Sequence, residues 1–94
     1  MDAASPSSIS PKTIRVTVLF FSVLREKTGT GEITLSLPAS TTGEELLDRL
    51  ERRYPPVAEH RGDARLAVNQ SFADPSTTLS DGDEVALITP VSGG

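Results

Sequence analysis

One stretch of this chain carries the apolar spacing of a full helix, while the strongest of its other apolar runs alternate. The helical stretch opens at Thr42-Gly43-Glu44-Glu45, the pattern of a capping box. In that motif the Thr42 hydroxyl and the Glu45 carboxylate satisfy first-turn amides. Leu46, Leu47, Leu50 and Tyr54 follow at helical spacing and form one stripe. Glu44, Asp48, Arg49, Glu51, Arg52 and Arg53 fill the remaining face, with the acids towards the start and the arginines towards the end, as the helix dipole favours. Pro55-Pro56 stops the helix. A single apolar stripe must be laid on something, and the alternating segments supply a sheet.

The first of these segments begins at Ile14. Ile14, Val16, Val18 and Phe20 alternate with Arg15, Thr17, Leu19 and Phe21, so the two sets face opposite ways. The second set turns apolar at its end, so there both faces are covered or one is an interface. Ser22 to Thr28 lacks alternation and reads as a short helical turn, with Gly29 and Gly31 marking the turn that follows. Ile33, Leu35 and Leu37 alternate with polar residues up to Pro38, a half-buried strand antiparallel to the first. Val57 to Ala64 reads as loop. Leu66 and Val68, alternating with Ala67 and Asn69, make a third strand. Phe72 stands alone among polar residues, where a short strand fits. Leu79-Ser80-Asp81-Gly82-Asp83 carries an Asp-Gly hairpin signal, and Val85 to Ile88 is the last strand. This order predicts the α+β class: a β-grasp, or ubiquitin-like, roll whose mixed sheet of four to five strands has one main helix on one face. The domain spans residues 13–88, between a flexible N-terminal tail (1–12) and an extended C-terminal tail (89–94).

Composition removes most side-chain chemistry. The 94 residues include no Cys and one His, so thiol nucleophiles, zinc ribbons and iron–sulfur sites are excluded. A net charge of −4 with 4% aromatic residues argues against nucleic acid. The Ser- and Pro-rich start has no apolar core of a secretory signal, and no run approaches the ~18 apolar residues of a membrane span. The expected location is therefore the cytoplasm, away from any membrane. His60 stands in a polar loop beside Glu59 and Arg61 and reads as solvated. Asp81, Asp83 and Glu84 read as turn residues before they read as a cation site.

The chain closes on Thr89-Pro90-Val91-Ser92-Gly93-Gly94. Pro90 cannot continue a ladder, so these six residues form a peptide reaching at most ~20 Å beyond the domain. Gly93 and Gly94 lack a Cβ and can thread a narrow channel. Such a tail is suited to delivering its terminal carboxylate into a partner's active site. An ionised carboxylate is a poor electrophile and must be activated, most simply as an acyl-adenylate. The chain has no G-x-x-x-x-G-K loop, so activation falls to another protein.

The segment from Leu79 to Gly94, with Asp-Gly-Asp-Glu-Val-Ala followed by Pro-Val-Ser-Gly-Gly, resembles the C-terminal signature of the molybdopterin synthase small-subunit family. Val18-Leu19-Phe20-Phe21 with Arg25-Glu26, and Ala67-Val68-Asn69-Gln70, resemble the first and central strands of that family, so the likeness runs from Ile14 to Gly94. The resemblance implies a sulfur carrier that is not catalytic alone. Its C-terminal glycine, here Gly94, is adenylated by an E1-like enzyme using ATP and magnesium. It is then thiocarboxylated and donates sulfur to cyclic pyranopterin monophosphate inside the large subunit. Two small subunits flank two large ones, and the carrier holds no stable cofactor. The resemblance assigns partner contact to Phe21, Phe72, Ile88, Pro90, Val91 and Ser92, and tail threading to Gly93. The family often has Pro-Pro where this chain has Thr89-Pro90, which loosens the tail by one rigid residue. Periodicity alone leaves Phe21 and Ile88 open between a surface patch and core packing, and favours the patch for Phe72. Two other readings stay open: a carrier for thiamin or tRNA thiolation or a ubiquitin-like protein modifier, and a non-catalytic β-grasp interaction module.

Overall fold

The computed structural model describes residues 13–89. In it β1 (Thr13–Phe20) buries Ile14, Val16, Val18 and Phe20 on one face, while Arg15 stays exposed and Leu19 half-exposed on the other. The chain continues through α1 (Ser22–Thr28), β2 (Glu32–Pro38), α2 (Gly43–Arg53) and α3 (Pro55–His60). It ends with β3 (Arg65–Val68), β4 (Ser71–Phe72) and β5 (Glu84–Ile88). The five strands form one sheet in the order β2-β1-β5-β3-β4. β5 runs parallel to β1 and antiparallel to β3, and the β1–β2 and β3–β4 pairs are antiparallel. This is the mixed β-grasp sheet expected. Leu46, Leu47 and Leu50 of α2 share one core with the inner faces of β1 and β5. The Phe20 and Tyr54 rings meet edge to face at 5.4 Å.

The start of α2 shows why the helix begins where it does. A helix leaves its first N–H groups without intrahelical partners. Here the Gly43 N–H donates to Thr77 O (2.9 Å) and the Glu44 N–H to Pro75 O (2.8 Å), both on the loop before β5. The Glu45 N–H donates to Thr42 Oγ1 (3.2 Å), while Glu45 Oε1 accepts the Thr42 N–H (3.0 Å), closing the capping box. Gly43 is buried against β3: a Cβ there would collide with Leu66 Cδ2 and come 3.2 Å from Pro75 O. At the other end of the helix pair, Arg61 bonds Asp48 (2.6 Å) and Glu51 of α2. Those two carboxylates raise the Arg61 pKa, Glu51 more than Asp48.

Three local expectations are corrected. Val57 to Ala64 is not loop throughout, because α3 occupies Pro55–His60. The two prolines that stop α2 also start α3, since a first-turn proline lacks only an N–H that had no partner there. Val57 is this helix's buried anchor. Secondly, the third strand stops at Val68. Asn69 and Gln70, at φ 52° and 72°, form the two-residue turn joining β3 to β4. Thirdly, Asp81-Gly82 is a turn but not a hairpin. The Asp83 N–H donates to Ser80 O (3.1 Å), and Gly82 takes the positive φ (88°) that such a turn requires. The turn then docks on β1: Asp81 Oδ1 accepts the Arg15 N–H (2.8 Å) and the Gly82 N–H donates to Arg15 O (2.7 Å). The segment before it turns instead to the start of α2, where the Leu79 N–H donates to Thr41 O (2.8 Å).

Candidate functional site

The sheet face opposite α2 carries the candidate site. Leu19 of β1 is in register with Ala86 of β5, Ala86 with Ala67 of β3, and Ala67 with Phe72 of β4. These four residues therefore form one row across four strands. The middle pair are alanines, and the ends are large. The result is an open groove of about 360 Å³ with a floor of Ala67 and Ala86. Leu19 and Phe21 line one side and Phe72 the other, with Gln70 and Glu84 towards one end and Ile88 towards the other.

Local geometry explains why Phe21 stays outside the core. It is extended (φ −123°, ψ 159°) at the entry to α1, and Ser22 then takes φ 50°, a rare conformation for a residue with a Cβ. The chain bends sharply there, with Leu24 buried and Phe21 left 42% exposed. Phe72 is 62% exposed, an uncommon state for so large an apolar ring. Ile88 is half-buried at the end of β5. The structure thus brings Phe21, Phe72 and Ile88 together on one surface. Pro90, Val91, Ser92, Gly93 and Gly94 lie outside the described residues. Thr89, which precedes them, is 5% exposed, and its hydroxyl has no hydrogen-bond partner among the described residues.

Four lining residues were not site candidates from the sequence, namely Leu19, Ala67, Gln70 and Ala86, and neither was Arg65 beside the groove. Arg65 is in register with Ile88, and its guanidinium carbon lies 4.4 Å from the centre of the Phe72 ring. Alternation places Arg65 and Ala67 on the face of Phe72, but the stacking depends on the turn at Asn69–Gln70, which brings β4 back beside β3. Other candidates fall elsewhere. His60 Nε2 is 3.4 Å from Lys27 Nζ, where α3 meets α1. Asp81 and Asp83 serve the turn: Asp83 accepts the Ser80 N–H (2.8 Å) and the Asn69 Nδ2–H (2.9 Å). Among the described residues no group of three or more His, Cys, Asp or Glu side chains could hold a metal ion. None of the helices there is long and apolar enough to cross a membrane.

Residues 18–94 match the model of the ThiS family. The chain is 40% identical over 82 residues to the molybdopterin synthase sulfur carrier subunit of Mycobacterium tuberculosis, covering 86% of this chain and 99% of that one. Among solved structures, it is similar to a chain in the complex of subunits 1 and 2 of the molybdopterin-converting factor from Helicobacter pylori. That match has a TM-score of 0.63 at 26% identity, over 86% of this chain and 100% of the other. It is also similar to small archaeal modifier protein 1 from Methanosarcina acetivorans, with a TM-score of 0.72 at 27% identity, over 87% and 98%.

Proposed function

The chain belongs to the ThiS family, and from that premise we propose that it is the sulfur-carrying small subunit of a molybdopterin synthase. The observation that carries this reading is the coincidence of groove and tail. The apolar groove ends at Ile88, one residue before the buried Thr89 from which the Pro-Val-Ser-Gly-Gly peptide departs. A partner that fills the groove is thereby handed the tail. Two facts support it: the family match runs through Gly94, and the similar Helicobacter pylori chain is in a complex with a second subunit.

In this reading an E1-like enzyme docks on the groove and adenylates the Gly94 carboxylate with ATP and magnesium, releasing pyrophosphate. A sulfur donor then displaces AMP and leaves a thiocarboxylate. The large synthase subunit next occupies the same groove, so the two partners exclude each other in time. Gly93 and Gly94 pass through its channel while Pro90, Val91 and Ser92 line the entrance. Sulfur passes to cyclic pyranopterin monophosphate, with the catalytic side chains supplied by the large subunit in an assembly of two small and two large subunits.

Likeness to an archaeal modifier protein favours a second reading, in which an amine displaces AMP and the chain is conjugated to other proteins. Intact-mass analysis after co-expression with an activating enzyme separates the two. A sulfur-for-oxygen mass gain confined to the C-terminal peptide is expected, together with sulfur transfer to the cyclic pterin when the large subunit is added. One residue appended after Gly94 should abolish both. Absence of the thiocarboxylate with a competent activating enzyme would overturn the carrier reading, and lysine-linked adducts would favour the modifier.

A further inference from the structure

An apolar groove holds a partner but does not say which way round it sits. Among the groove's lining residues the one ionised side chain is Glu84, at the end away from the tail. At the tail end, opposite Ile88, stands Arg65. Its guanidinium lies over the Phe72 ring at 4.4 Å, yet its side chain is exposed and forms no ion pair among the described residues. Stacking against a ring fixes the plane of a guanidinium and leaves its in-plane N–H fork open. That fork matches a carboxylate through two parallel hydrogen bonds. Glu84 and Arg65 are thus separated by the length of β5, four residues or roughly 13 Å. Beyond Glu84 the same face carries Arg15, whose backbone N–H bonds the Asp81 carboxylate. The carboxylates of Asp81, Asp83 and Glu84 outnumber its one guanidinium, so that end is net acidic.

We propose that Arg65 is the orienting residue of the interface, gripping a carboxylate on the large subunit and so fixing the direction in which the tail enters. This deepens the synthase reading and rests on it. The energetic logic is one of timing. The Phe72 ring already holds the guanidinium in place, so little side-chain freedom is lost on docking. The partner's carboxylate then finds its donors in the bound geometry. A partner docked the other way round would set that carboxylate beside Glu84, a like-charge contact that disfavours the reversed pose.

The test is binding of the full chain to the large subunit of a molybdopterin synthase, at low and at high salt. Arg65→Gln should weaken binding roughly tenfold at low salt, the size expected for one charge-assisted pair. The deficit should shrink as salt rises, because screening removes what the charge contributed. Arg65→Glu should weaken it further, and a partner carboxylate changed to Lys should restore that variant. Arg65→Lys should fall between, since an ammonium keeps the charge without the fork. A deficit unchanged by salt would make Arg65 a prop for Phe72 and overturn the proposal, as would Arg65→Gln binding like wild type. If wild type binds and only Phe72→Ala loses affinity, the synthase reading survives and this inference fails. If wild type does not bind at all, both fail.

Discussion

Leu19 and Phe72 stand at opposite ends of one cross-strand row and face each other over the methyl groups of Ala86 and Ala67. The depth of the groove is therefore set by two of the smallest side chains. The core beneath it is built from the other face of the same strands, where Val85 and Leu87 flank Ala86. Binding and stability are thus separable by mutation.

Ala86→Leu should fill the groove floor. Ala86 is 8% exposed but lies on the groove face and not against α2, so the added atoms extend into the open groove and the melting temperature should fall by no more than ~4 °C. Affinity for the large subunit should fall at least roughly tenfold, because the partner loses its seat in a packed apolar pocket. Calorimetric titration beside a thermal melt reads both. A collapse in melting temperature would instead assign Ala86 to the core.

Gly43→Ala sets two effects against each other. Alanine gains up to ~1 kcal/mol of helix propensity over glycine. At this position, though, its Cβ collides with Leu66 and crowds the Pro75 carbonyl, and overpacking of this kind costs ~1–3 kcal/mol. Crowding should win, lowering stability by up to ~2 kcal/mol in urea unfolding. A more stable variant would show that α2 can move off β3 freely.

Asp74 should make the fold sensitive to acid. Its carboxyl is held below its ordinary value first by the backbone N–H of Ser76 and then by the Ser76 hydroxyl. The turn so formed presents Pro75 O and Thr77 O to the start of α2. A depressed folded-state pKa stabilises above the unfolded value of ~3.9 and ceases to do so as pH falls through the folded value. Wild type should therefore exceed Asp74→Ala in urea midpoint near neutral pH, and the gap should narrow as pH falls below the ordinary carboxylate range. A constant gap would trace the effect to shape rather than charge.

Thr89→Val should be neutral or stabilising. The Thr89 hydroxyl is buried without a partner among the described residues, and an apolar group of the same shape removes that desolvation cost of ~1 kcal/mol or more. A clear loss of stability in the thermal melt would reveal a hydrogen bond that the hydroxyl makes to the chain beyond it.

Much of this was legible because alternation is a strong signal. Ile14, Val16, Val18 and Phe20 announce a buried face, and Thr42 with Glu45 announces the start of α2. The patch of Phe21, Phe72 and Ile88 was visible as residues but not as a surface, since only strand register brings them together. What failed to show did so for local reasons. α3 has one buried apolar anchor, Val57, too few to set a period. The β3–β4 turn uses Asn69 and Gln70 at positive φ, without the glycine that marks most such turns. The Asp-Gly pair, which looks like that mark, instead serves a turn docked on Arg15. Arg65 carries no signal of its own in the sequence, because only the turn at Asn69–Gln70 sets the Phe72 ring beside it.

The position of β5 has a consequence for quality control. It lies between β1 and β3, so without it the sheet separates into the β1–β2 and β3–β4 pairs, neither of which has a groove. Its pairing with β1 joins residues far apart in sequence, the kind of contact that closes late in folding. Ala86 and Ile88 belong to this same strand. In the proposed docking, a partner that grips the groove would meet only the finished sheet before it takes the peptide. On that proposal an unfinished carrier would offer it nothing to hold.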